Sequence, residues 1–338
     1  MLTLFAMTCR GQAIPPGDPG GQIDNAGQPW KDNRGIPLDA HGAGLMYYQG
    51  VFYLYGEIKA APTWRVGGQK WDCYRVPAGG VSCYSSPDLV HWTYRGVALA
   101  TVHDPSSDLD TGKVIERPKV VFNRRTGKFV LWMHVDDKTY HEARAGVAVS
   151  DHPEGPFHYL GSCRPNGAES RDLTLFEDRD GKAYLVFSSE NNTTLHVQPL
   201  TSDYLRPAPG FRRILVGLKR EAPAVFFWAG KYYLITSLCS GWDPNAAAWA
   251  ESDQMMGEWK QQGNPCLGKD SALTYFAQSS YVLPLPGRPG KFLFAADRWN
   301  KTDLRNSRYL WLPLDLKRSR PVIRYADQWQ PLPAKNGK

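Results

Sequence analysis

Aromatic and β-branched runs of strand length, bounded by glycine and proline, follow one another along this chain, and stretches of helical period are nearly absent. The clearest run is Lys219–Ser237, KREAPAVFFWAGKYYLITS. Its apolar segment Ala224–Trp228 meets Lys231–Thr236 across a two-residue Ala229-Gly230 turn, the pattern of a tight hairpin. Pro223 is tolerated because it stands at the start of the strand, where no ladder hydrogen bond is needed. Glu221 therefore sits at the mouth of the first strand.

The same arrangement recurs five times: Gly50 before VFYLYGE, Gly127 before KFVLWMHV, Gly181 before KAYLVFSS, Gly230 before KYYLITS and Gly290 before KFLFAADR. A first strand precedes each glycine, beginning near Gly42, Pro118, Leu173, Pro223 and Ser279. A third strand with a turn phrase follows most copies, as in Cys83-YSSPDLVHW, Ala148-VSDHPEGPF, Val197-QPLTSDYL and Ala250-ESDQMMGEW, with a degenerate version at Leu310-WLPLDL. In these phrases a Ser or Asp side chain bonds the turn backbone and an aromatic packs back on the sheet. The glycine intervals of 77, 54, 49 and 60 residues suit one unit with variable loops. Five such units predict an all-β, single-domain, five-bladed β-propeller rather than a β-sandwich, which would not repeat a hairpin and turn in this way. The expected division is an N-terminal segment 1–30 and a propeller over 31–338. The terminal stretches 1–36 and 318–338 carry no blade phrase and are expected to pack outside the blades.

Composition is ordinary for a globular chain of 338 residues, except for 12 Trp and 17 Tyr, side chains suited to flat sugar faces. The net charge of +7 is scattered, with no dense basic run beyond Lys317-Arg318-Ser319-Arg320, so a nucleic-acid partner is not expected. No apolar run is long enough to span a bilayer. The opening MLTLFAMTCRGQA is read as the remnant of an export signal, which predicts a secreted or periplasmic protein, and Cys9 is a weaker lipid-anchor candidate. Cys73 with Cys83, and Cys239 with Cys266, are candidate disulfides, with buried free thiols as the alternative; no spacing is of zinc type.

In a propeller the first strand of each blade lines the central channel, and its leading end opens on one face. The residues there are His41, Glu116, Asp172, Glu221 and Gln278, separated by up to 237 positions yet expected around one funnel. Each of the three acids has a neighbouring cation, so a structural salt bridge is the bland reading of any one of them. Three in one register point instead to a site, while His41 alone reads as a core histidine. Clustered carboxylates in an aromatic-rimmed funnel suit glycosidic hydrolysis: one protonated acid donates to the leaving oxygen and a second group activates water. Proximity of like charges raises one pKa and keeps that acid protonated.

Taken together, Asp32-NRGIPLDAHGAG, Tyr53-LYGE, Val114-IERPKV, Tyr140-HEARAGVAVS, Ser170-RDLTLFEDRDGKAYLVFSSENN, Arg220-EAPAVFF, Thr236-SLCSGWDPN and Tyr275-FAQSSYV resemble glycoside hydrolase family 43, within it the exo-β-1,3-galactanases. The resemblance runs from about residue 30 to 300. It implies a five-bladed propeller acting with inversion, with Glu221 as general acid and Asp172 as the carboxylate that tunes and orients it. Glu116 would bind the sugar and Gln278 would hold the water, since the usual Asp base of the first blade is missing; only Asp39 lies nearby, outside the register. Further implied sugar contacts are Glu57, Tyr140 and Asn191 or Asn192. Trp242 is a candidate stacking platform, with Asn245 beside it. Family 43 propellers sometimes hold a channel metal near a histidine, which makes His41 the residue to inspect; no cofactor or metal is expected from the sequence itself. The expected partner is an oligo- or polysaccharide, β-1,3-galactan, met by a monomer. The alternatives are another glycosidase of this fold, an α-L-arabinofuranosidase or β-xylosidase, and a non-catalytic sugar-binding propeller.

Overall fold

Each of the five repeat glycines occupies the turn between the first two strands of an antiparallel sheet, with φ between 69° and 87°. That left-handed conformation is costly for a side chain and free for glycine, which accounts for the repeat mark. The computed structural model describes residues 21–333, so the segment read as an export-signal remnant, with Cys9, lies outside the described residues.

Four blades are four-stranded. The first contains His41–Tyr48, Val51–Glu57, Val81–Ser86 and Thr93–Leu99; the second Val114–Asn123, Lys128–Asp136, Arg144–Ser150 and His158–Cys163. The third contains Leu173–Glu177, Ala183–Ser189, Thr194–Pro199 and Arg212–Ile214; the fourth Arg220–Trp228, Lys231–Leu238, Ala248–Ser252 and Lys260–Gln261. In the fifth, Gln278–Pro284, Lys291–Arg298, Arg308–Lys317 and Arg320–Arg324 are joined by Cys266–Leu267, which pairs in parallel with Arg320–Arg324. Only three short 3₁₀ turns interrupt this all-β, single-domain propeller among the described residues.

Part of the C-terminal stretch departs from its expected place outside the blades, while another part lies in a separate two-stranded sheet. Residues 320–324 form the fourth strand of the last blade, and Gln328–Trp329 pairs with Ile23–Asp24. Asn25 fastens this closure: its Nδ2 donates to the Trp311 and Ala326 carbonyls at 2.9 Å each, and its Oδ1 accepts from the Trp311 amide at 3.0 Å. The degenerate phrase at Leu310 hid this strand, because no Ser-Asp turn announces it.

The ring is held by five apolar clusters, one in each gap between neighbouring blades. Alternate residues of one strand serve opposite gaps: Leu45 faces the fifth blade and Met46 the second, while Val225 faces the third and Phe226 the fifth. Both faces of each inner strand are therefore buried, which explains why these strands read as apolar runs. Neither candidate disulfide forms: Cys73, Cys83, Cys163, Cys239 and Cys266 are all free thiols. Cys83 and Cys266 are instead buried members of the clusters between blades, behaving as small hydrophobes.

Candidate active site

Four inner strands break register just at their leading ends, after His41, Glu116, Glu221 and Ser279. A bulge turns a side chain that would lie in the sheet toward the funnel. In three of them the residue after the head is left-handed: Gly42 at φ 57°, Arg117 at 56° and Ala222 at 51°. The amide freed by each bulge finds a carboxylate. Gly42 N donates to Asp297 Oδ2 at 3.2 Å, Arg117 N to Glu57 Oε1 at 3.3 Å and Ala222 N to Asp172 Oδ2 at 3.1 Å. Such strained backbone persists where surrounding bonds fix it.

The heads of four blades meet in a cavity of about 850 Å³ lined by Glu116, Asp172, Glu221 and Gln278, together with Glu57, Tyr140, Asn191, Asn192 and Trp242. His41 is not among the lining residues. Its Nδ1 lies 3.0 Å from Asp297 Oδ1 and its ring stacks on Tyr309, the core histidine of the bland reading. Asn245 does not line the cavity either. Its carboxamide braces its own loop, accepting from Leu238 N at 2.8 Å and donating to Leu238 O at 2.8 Å and to Ser240 Oγ at 2.6 Å. Asp39 is spent as the acceptor for the Lys59 amide at 2.7 Å.

Glu221 is 7% exposed. Burial, reinforced by the negative charge of Asp172, pushes its carboxyl up to about 8, against hydrogen bonds from Cys239 and Gln278 that favour the ionised form. Burial and the same carboxyl push the Cys239 thiol up to about 12, so it faces Glu221 as a neutral group. Asp172 Oδ2 lies 3.1 Å from Arg117 Nη2. Glu116 accepts the Tyr140 hydroxyl at 2.7 Å and lies 3.4 Å from His134 Nδ1, whose Nε2 in turn is 2.8 Å from Asp136. Burial opposes charge on both Glu116 and His134, but their mutual contact, Asp136 and Lys59 outweigh it: His134 rises to about 9 and Glu116 is held well below the carboxylate range. Two acids of one cavity are thus driven in opposite directions, one kept protonated and one ionised.

Sequence reasoning missed Arg117, Lys59, His134, Trp71 and Trp299. Arg117 is 5% exposed and reaches the Ser279 carbonyl at 2.8 Å and Gln278 Oε1 at 2.5 Å as well as Asp172. Its signal was its place beside Glu116, where it read as a structural cation. Lys59 pairs with Glu57 at 2.6 Å beneath Trp242 and Trp299, which meet edge to face. Trp71 comes from the short hairpin Trp64–Arg65 with Tyr74–Arg75 and leans edge-on against Tyr140. Lys301 ties that hairpin to the fourth blade through Asp72 at 3.3 Å and Asp243 at 2.8 Å, walling one side of the cavity. Asn191 and Asn192 enter on a left-handed turn, with φ 53° to 59° over Glu190–Asn192.

Glu116, His134 and Asp172 bring ligand atoms within 4.8 Å of one another and could hold a metal ion. Arg117 and Lys59 already supply positive charge to these acids, and His134 Nε2 is turned to Asp136. The arrangement is equally that of groups hydrogen-bonding a polar ligand.

The family model of glycosyl hydrolases family 43 matches residues 45–278. The chain belongs to this family. Among solved members, it is 38% identical to a β-1,3-galactosidase with galactodeoxynojirimycin, over 91% of this chain and 100% of that one, with a TM-score of 0.85. An exo-β-1,3-galactanase of Phanerochaete chrysosporium with β-1,3-galactotriose is 34% identical over 94% of this chain and 70% of its own, TM-score 0.83. Another from Clostridium thermocellum is 36% identical over 93% and 68%, TM-score 0.81. A curated β-D-galactofuranosidase of Aspergillus niger is 28% identical, and the match spans 59% of this chain and 64% of that protein's length. This family 43 chain is a glycoside hydrolase. Among the described residues no helix is long and apolar enough to cross a membrane.

Proposed function

We propose that this family 43 enzyme is an inverting exo-β-1,3-galactanase that releases galactose from β-1,3-galactan. The observation that carries the mechanism is the buried Glu221 carboxyl, pushed up to about 8 beside Asp172 in a cavity of sugar size. At neutral pH it holds the proton that the departing glycosidic oxygen needs. Asp172 keeps that proton in place by its charge. Glu116, held ionised by His134 and Tyr140, and Glu57, paired with Lys59, face the sugar as acceptors for hydroxyl hydrogens. Asn192 and Trp242 continue the wall where the next sugar would lie. The substrate reading is supported by the galactose-directed relatives at 34–38% identity. The Lys301 clasp favours action at a chain end, because a chain threaded through the cavity would have to cross it.

A hydrolysis screen tests the substrate. β-1,3-Galactobiose should be cleaved at least tenfold faster, by kcat/KM, than nitrophenyl arabinofuranoside, xyloside or galactofuranoside, a difference of about 1.4 kcal/mol or more in transition-state binding. The galactofuranoside is included because of the Aspergillus niger relative. Preference for any of the three glycosides would overturn the galactan assignment. Binding of galactobiose by calorimetry without any product would return the chain to a sugar-binding role.

A further inference from the structure

Lys59 stands behind the cavity wall rather than in it. It is 5% exposed and does not line the cavity, but three lining residues, Glu57, Trp242 and Trp299, close over it. Its Nζ lies 2.6 Å from Glu57 Oε2, and 5.8 and 5.6 Å from the ring centroids of Trp242 and Trp299. Asp39 Oδ1 fixes its backbone by accepting the Lys59 amide at 2.7 Å. One ammonium thus joins a carboxylate of the first blade to indoles that follow the second strands of the fourth and fifth.

A buried ion pair adds little stability over apolar side chains of the same volume, so packing alone does not call for this one. Its effect is to leave Glu57 a single orientation. Oε2 is held by Lys59, Oε1 accepts the Arg117 amide at 3.3 Å, and the carboxylate lies against Gly42, where a Cβ would fall 2.1 Å from Oε1. Each oxygen keeps a second lone pair for a hydroxyl hydrogen of a ligand. The two indoles meet edge to face over the same ammonium, which fixes the angle between them.

We propose that Lys59 is the positioning residue of the sugar-binding wall, the counter-ion that aims Glu57 and the cation that braces Trp242 against Trp299, so that carboxylate and indoles meet one galactosyl ring together. The inference rests on the reading of Glu57 as an acceptor for the sugar. The charge of Lys59 also reaches two acids: burial raises the Glu57 carboxyl and Lys59 opposes that rise, while at Glu116 it adds to His134 in outweighing burial.

Lys59→Met keeps the stem and removes the charge. Galactose affinity, by calorimetry, and kcat/KM on galactobiose should fall at least about tenfold, through KM more than kcat, because the wall holds the sugar alike before and in the transition state. The acidic limb of kcat/KM should move to higher pH, since without the ammonium Glu57 and Glu116 keep their protons longer; the other charges around the pair, Asp39, Arg75, Lys113 and Arg117, are unchanged. Lys59→Arg keeps a cation and should return the limb toward its wild-type position. Lys59→Gln, which can still donate to Glu57, carries the test if Lys59→Met unfolds. A lower melting temperature with affinity, KM and limb all unmoved in the neutral variants would make the pair structural and overturn the proposal. So would a limb that stays displaced in Lys59→Arg. Glu57→Gln tests the reading beneath: unchanged galactose affinity there would remove Glu57 from the sugar site, whereas weakened affinity there beside unaffected neutral Lys59 variants would overturn the role of Lys59 alone.

Discussion

Glu221→Gln is expected to lower turnover of β-1,3-galactobiose by about 10² to 10⁴-fold, the usual contribution of a positioned general acid, while the protein stays folded. The substitution keeps size and hydrogen-bonding shape at a site that is 7% exposed but removes the transferable proton. The wild-type profile should fall above pH 8, where the Glu221 carboxyl, raised to about 8 by burial and Asp172, ionises. The variant's residual activity should not show that limb. Stability gives an independent reading of the same group. Because the folded-state value lies above the unfolded one, the folded state binds more protons between the ordinary glutamate range and about 8, so stability declines as pH rises through that window. Glu221→Gln lacks this liability and should melt no lower than wild type at pH 8 and above. Retained turnover of galactobiose would remove Glu221 from the mechanism.

Asp172→Asn is the second large effect. Asparagine can still accept the Ala222 amide, 3.1 Å away in the wild type, so the bulge should survive. What is lost is the negative charge that helps raise Glu221, and the counter-charge for Arg117 Nη2 at 3.1 Å. With that charge gone Glu221 ionises at lower pH, so the alkaline limb of kcat/KM should move toward neutrality. Activity near pH 7 should fall by about 10²-fold or more, through kcat more than KM, since the affected proton moves only in the transition state. An unshifted limb would show that Asp172 does not tune the acid. A limb moved upward would contradict the electrostatic account outright.

The repeat was legible because turn chemistry is local. Gly50, Gly127, Gly181, Gly230 and Gly290 each satisfy a left-handed turn that few other residues tolerate, and their neighbours alternate between two buried faces. Register then carried the reading from local to global: once the turns are aligned, Glu116, Asp172, Glu221 and Gln278 fall at equivalent leading ends and line one cavity. The rest of the wall has no such alignment. His134 and Trp299 lie in or just beyond second strands, as does Lys59, the partner of Glu57; Trp71 lies in a loop of individual length, as does Lys301, which joins the lining residues Asp72 and Asp243, and their convergence is set by packing across the ring. Arg117 reads in sequence as the structural salt-bridge cation of its neighbour Glu116, because the bulge that turns it inward is a feature of strand pairing, which sequence does not display. Asn245 was placed in the site on proximity to Trp242, but its carboxamide is used up by backbone groups of its own loop. The cysteine pairs fail for a related reason: spacing in sequence is no measure of which side of a blade each thiol faces, and Cys83 and Cys266 turn into inter-blade clusters that contain neither of their candidate partners, Cys73 and Cys239.

A single site in which Glu221 protonates the leaving group while water enters from the other face of the sugar fixes the stereochemistry of the first product. Proton NMR of the galactose released from β-1,3-galactan in the first minutes, before mutarotation, measures it directly. The account predicts the α-anomer first, with β-galactose growing in later. Initial release of β-galactose would mean retention through a covalent intermediate and would contradict the mechanism proposed for this cavity.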